Sequence, residues 1–150
     1  MTEAHKLSLS VQYASNAKKL PTRQQFRRWV KVALEQDVQI ALRIVDEIEG
    51  RALNKSYRGK DYATNVLTFA YGEDYDGEMT QADIVLCTDV MQKEAEEQNK
   101  SLEAHAAHLI VHGVLHAQGY DHETDEEAAE METLEIDILA KLGFSNPYAH

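Results

Sequence analysis

The chain has 150 residues, 43% of them apolar and 27% charged, a composition that suits one soluble domain able to bury a core. No apolar run approaches the roughly 18–20 residues needed to span a bilayer, and Met1 to Leu9, carrying Glu3, His5 and Lys6, lacks the apolar stretch of an export leader. The net charge of −11 argues at first against nucleic acid, but residues 1–60 hold 12 of the 15 Lys and Arg and only 6 of the 26 acids, so the total conceals a basic N-terminal part.

Leu7, Leu9, Val11 and Tyr13 alternate with polar residues, as in a strand with one buried face. Pro21-Thr22 opens a helix carrying Phe26, Trp29, Val30, Ala33 and Leu34 at helical spacing. Ile40, Leu42, Ile44 and Val45 predict a second strand, and Ile48 to Tyr57 a short helix that ends before Arg58-Gly59-Lys60. Val66 to Tyr71 reads as a third strand, followed by a polar loop from Gly72 to Gln81. Ile84 to Cys87 is a compact apolar run typical of a more buried strand. Cys87 is the single cysteine; it reads as core, and with no partner for an internal disulfide it suits a reducing cytoplasm. Asp89 is the expected cap of the next helix, running to about Asn99. Ser101 caps a helix reaching His116 or Ala117 and stopping near Gly119. Thr124 with Glu127 forms a capping-box pattern for a last helix to about Leu142, ended by Gly143 and Pro147. The order is α+β: a single domain with about four strands in a mixed sheet and helices increasingly toward the C-terminus.

His112 and His116 are four apart on a predicted helix, so both side chains leave one face. Gly119 lacks a Cβ and can turn the chain back, bringing His122 to the other two. Three neutral imidazoles leave one tetrahedral position of a zinc ion open, the arrangement of a catalytic site. His105 and His108 complicate the picture, because His108-His112-His116 is itself a ladder along the helix. Its ends lie about 12 Å apart at 1.5 Å rise per residue, too far for one zinc, and the turn-assisted triad is preferred. The spacing matches His-x-x-x-His-x-x-Gly-x-x-His of metzincin proteases, except that Gly113 stands where they keep a general-base Glu. Asp121 is read equally as an imidazole acceptor or a turn residue, and Met131 as core. Glu123, Asp125, Glu126, Glu127 and Glu130 read as a solvated face at a helix start.

Tyr57-Arg58-Gly59-Lys60-Asp61 joins a helix to a strand, where ligand contacts concentrate. Arg58 offers a planar five-donor fork suited to phosphate, and Arg51, Lys55 and Lys60 lie close enough in sequence to converge with it. Thr64 and Asn65 add short hydrogen-bonding side chains. A metal site beside a phosphate-binding arginine is the parts list of phosphodiester hydrolysis.

The run His112-Gly113 through Gly119-Tyr120-Asp121-His122 resembles the motif of the YbeY family of bacterial rRNA maturation factors. Leu53-Asn54, Tyr57-Arg58-Gly59-Lys60-Asp61, Thr64-Asn65-Val66-Leu67 and Phe69 match its second block. Asp83 to Cys87, Glu94-Ala95, Gln98 and Asn146-Pro147-Tyr148 are similar too, so the likeness covers nearly the whole chain. Ala82 departs from a usual Gly and Ala70 from a frequent Pro, both at strand edges. The resemblance implies a metal-dependent, single-strand-specific endoribonuclease acting in 3′-end maturation of small-subunit ribosomal RNA and late ribosome quality control. It implies one zinc ion on His112, His116 and His122, with Arg58 as the fourth catalytic residue, and ribosomal RNA and the small subunit as partners in the cytoplasm. A metallopeptidase-like hydrolase and a non-catalytic, zinc-stabilised ribosome-associated module remain as alternative uses of the same histidines.

Overall fold

Alternation along β1 (Leu7–Tyr13) is realised as expected: each odd-numbered residue is partly buried and each even-numbered one exposed. The computed structural model describes residues 5–73 and 79–149. Helix α1 (Arg23–Val32) follows, with Thr22 accepting from the Gln25 N–H and the Gln25 side chain reaching back to the Thr22 N–H in a reciprocal cap. Strand β2 (Val38–Val45) buries Val38, Ile40, Leu42 and Ile44 against Phe26, Trp29 and Val30 of α1. The single α+β domain continues through α2 (Glu47–Arg58), β3 (Val66–Glu73), β4 (Thr80–Cys87), α3 (Thr88–Glu97), α4 (Leu102–Ala117) and α5 (Asp125–Lys141).

The sheet order is β1-β2-β4-β3. β1 and β4 both run parallel to β2, while β3 pairs antiparallel with β4 and forms one edge of the sheet. One face carries the main core, in which α4 buries ten of its sixteen residues. A helix buried nearly all round reads as apolar all round, and the histidines of α4 are exceptions placed among Leu109, Ile110, Val111, Val114 and Leu115. The opposite face is covered only in part, by α2 over Val45, Leu67, Val85 and Cys87.

Three sequence expectations are corrected. The loop expected from Gly72 to Gln81 is shorter, because backbone pairing carries β3 to Glu73 and starts β4 at Thr80. Ladder hydrogen bonds hold these polar residues in strands without an apolar pattern, after a register shift between Ala70 and Gly72; residues 74–78 lie outside the described residues. Arg58 is the last residue of α2 rather than the first of a loop, since Gly59, at φ 70°, supplies the left-handed turn one residue later. Asp89 does not cap its own helix: the residue before α3 is Cys87, and the Asp89 carboxylate instead accepts the Glu47 N–H at the start of α2, 2.6 Å away. The Ser101 cap and the Thr124–Glu127 capping box form as expected.

Candidate metal centre and active site

His112 and His116 leave the same face of α4 one turn apart. The helix ends at Gln118, whose backbone N–H bonds back to Val114 and Leu115, and Gly119 adopts φ 105°. That left-handed residue returns the chain toward the helix, and the Tyr120 N–H closes onto the Leu115 carbonyl. His122 thereby meets the other two: one ligand atom from each imidazole lies within 4.8 Å of the others. The turn is held by Asp121, whose Oδ1 accepts the His122 N–H at 2.8 Å, so of its two readings the structure selects the turn. Burial, reinforced by the neighbouring His112 and His122, pushes the His116 pKa below its ordinary 6.5 and so favours the neutral ring that a metal ligand must be.

The donor set fits a metal that takes imidazole nitrogen, and a second layer of residues supports it. The Glu135 side chain on α5 is 1% exposed, and its Oε1 accepts from His112 Nδ1 at 2.8 Å. With Nδ1 holding the proton, Nε2 of His112 keeps its lone pair for a ligand. Oε2 of Glu135 accepts from the Tyr148 hydroxyl at 2.6 Å, and His108 Nε2 lies 3.4 Å from Oε1. Burial alone would raise the Glu135 pKa, but these hydrogen bonds outweigh it and hold the carboxyl at about 2. His108 is thus a partner of Glu135 and Tyr148, not a rung of an alternative ligand ladder. His105 turns away to Glu94, 2.9 Å from its Nε2.

Sequence reasoning did not find Glu135. The signal was present: it lies on the stripe Met131, Glu135, Ile138, Leu139 that α5 buries, and a carboxylate on such a stripe requires a partner. Met131 itself is core, 1% exposed, as expected. The acids from Glu123 to Glu130 take no place at the site; Glu127 serves in the helix cap.

The triad opens into a cavity of about 430 Å³ whose lining includes Arg58, Asn65, Thr68 and all three histidines. Arg58 arrives from the end of α2, across the edge strand from α4. Exposed, and with no hydrogen bond or ion pair among the described residues, its guanidinium can serve a ligand. The expected convergence of four cations does not occur. Arg51 is engaged in a two-point pair with Asp61, at 2.8 and 3.1 Å, and neither Lys55 nor Lys60 lines the cavity. Of Thr64 and Asn65, only Asn65 does; its amide donates to Glu94 Oε1, the atom that also holds His105.

Gly113 faces the sheet. A Cβ there would lie 3.2 Å from Thr68 Oγ1 and 3.4 Å from Ile84, so the missing side chain is what lets α4 approach the strands that carry Thr68 and Ile84. Cys87 is buried, as expected of a core residue.

The family model for "Endoribonuclease YbeY" matches residues 10–143. A relative named Endoribonuclease YbeY from Janthinobacterium sp. (strain Marseille) is 68% identical, covering 99% of this chain and 98% of its own. Another of that name, from Herminiimonas arsenicoxydans, is 63% identical with 97% of each chain covered. A solution structure of a protein from Thermotoga maritima superposes with a TM-score of 0.54 at 25% identity, covering 94% of this chain and all of the other.

Proposed function

The chain belongs to the YbeY endoribonuclease family, and from that premise we propose that it is a zinc-dependent endoribonuclease cleaving single-stranded RNA, serving 3′-end maturation of small-subunit ribosomal RNA and late ribosome quality control in the cytoplasm. The observation that carries the reading is the meeting of the three-histidine cluster and Arg58 in one cavity. His112, His116 and His122 would hold the metal, which when bound supplies Lewis-acid polarisation of a phosphoryl oxygen. Arg58 binds and neutralises the phosphodiester through its planar fork of donors. Asn65 and the Thr68 hydroxyl add polar lining, and Glu135 keeps His112 in the tautomer that can ligate. No carboxylate lines the cavity among the described residues, so the proton of the nucleophile would pass to a group other than a lining carboxylate, whether that nucleophile is water or the RNA's own 2′-OH. A 2′,3′-cyclic phosphate on the product would identify the 2′-OH route.

A peptidase reading loses its support at Gly113, where any side chain meets Thr68 and Ile84. No helix among the described residues is long and apolar enough to cross a membrane. The test is metal content together with cleavage of an unstructured oligoribonucleotide by the native protein, His116→Ala and Arg58→Ala. Stoichiometric zinc and cleavage in the native protein, lost together in His116→Ala, support the proposal. Undiminished cleavage by both variants would overturn it, as would chelator-sensitive cleavage of unfolded protein with RNA left intact.

A further inference from the structure

Residues of the edge strand β3 line two different depressions. Val66, Leu67, Thr68 and Ala70 line the metal cavity, while Phe69 and Tyr71 line a trough of about 300 Å³ on the open face of the sheet. The end of α2 divides in the same way, with Arg58 lining the cavity and Tyr57 the trough. The two depressions therefore share a wall one strand thick, at the free edge of the sheet.

The trough presents unusual surface. Tyr57 is 68% exposed and Tyr71 61%. Both are held in place from behind. The Tyr57 ring rests 5.0 Å from that of Phe69, and the Tyr71 hydroxyl donates to Asp83 Oδ2 at 2.8 Å. Positioned rings with a face to solvent are stacking platforms for planar groups. Ser10 and Gln12 give the trough a hydroxyl and an amide, and its Arg43 is neutralised by Glu49. That lining suits the flat, polar-edged bases of a nucleic acid better than an apolar peptide or a strongly charged partner.

We infer that the trough between Tyr57 and Tyr71 is a base-stacking subsite for a nucleotide adjoining the phosphodiester held at Arg58, the strand crossing the edge of β3 between the two depressions. This inference rests on the RNA-cleaving reading and extends it: the site takes unpaired bases, because a base inside a duplex has no free face to stack. The alternative occupant, a protein segment laid on the open sheet, predicts no dependence of RNA binding on either ring.

Two measurements test it. Steady-state cleavage of an unstructured oligoribonucleotide is compared for the native protein, Tyr57→Ala, Tyr71→Ala and Tyr57→Phe. Each alanine variant is expected to raise KM about fivefold or more with the loss falling on KM rather than kcat, and Tyr57→Phe to restore it. Unchanged KM in both alanine variants overturns the inference and leaves the trough to a protein partner. The second measurement does not require turnover. Trp29, the single tryptophan, is 3% exposed, so Tyr57→Trp adds a solvent-facing reporter. Quenching of its emission by the oligoribonucleotide, but not by a duplex of the same sequence, supports stacking; equal or absent quenching overturns it. Should the native protein cleave no RNA, the cleavage reading fails while this titration still decides the subsite.

Discussion

His112 donates its Nδ1–H to Oε1 of Glu135 at 2.8 Å, across the interface of α4 and α5, and the acceptor is almost wholly buried. This bond selects the ring tautomer and fixes its rotation, which places Nε2 toward His116 and His122. Glu135→Gln keeps the shape but can present its amide N–H in place of an acceptor. We expect metal affinity to fall about 10–100-fold, read by competition with a chromogenic chelator, while the far-ultraviolet circular dichroism stays native.

The chain near the C-terminus is tied to the same carboxylate. Tyr148 donates to Glu135 Oε2 at 2.6 Å, and Lys100 holds the Pro147 carbonyl at 3.2 Å. Tyr148→Phe removes one hydrogen bond to a charged group that His112 and His108 still engage. Stability should fall by about 1.5–3 kcal/mol in urea denaturation, with metal affinity weakened less than in Glu135→Gln. An equal loss of affinity in both variants would mean that Tyr148 alone holds Glu135 in place.

At Gly113 two effects oppose each other. Alanine improves helix propensity by about 1 kcal/mol, but its Cβ would lie 3.2 Å from Thr68 Oγ1 and 3.4 Å from Ile84, and overpacking of a core costs about 1–3 kcal/mol. The contact is with a strand and a fully buried isoleucine, so we expect Gly113→Ala to lower the denaturation midpoint. Gly113→Glu, which restores the protease-like spacing, should fail to fold rather than gain peptidase activity.

Arg58 has no partner to lose among the described residues and is exposed. Arg58→Ala should therefore leave stability within about 0.5 kcal/mol and zinc stoichiometry unchanged, while RNA cleavage falls by at least about tenfold through loss of phosphate binding. Arg58→Lys should recover only part, because a point charge replaces a two-point fork.

Acid should destabilise the fold through His105. Burial lowers its pKa below 6.5 despite the opposing pull of Glu94. The unfolded chain then binds a proton near pH 6.5 that the folded chain refuses, so stability is flat above that value and declines as pH falls below it. The metal-free His116 ring has the same sign, for the same cause. Denaturation midpoints measured from pH 8 to 5 should fall on the acid side, and His105→Gln should flatten part of that decline.

The sequence by itself determined most of the elements and the three clustered histidines, because both are short-range. Capping at Thr22, Ser101 and Thr124 and the turn at Gly119 involve neighbours within five residues, and the His112–His116 spacing is set by the helix period. The tertiary structure decided everything that depends on which elements meet. It chose Arg58 over Arg51, Lys55 and Lys60, since only the last residue of α2 reaches over the edge of β3 and Asp61 takes Arg51. It gave Asp89 to the start of α2, extended the β3–β4 pairing through polar residues, and set Glu135 and Tyr148 behind His112. Those pairings span up to dozens of residues, and a linear pattern carries no record of them beyond an acid left unexplained on a buried stripe.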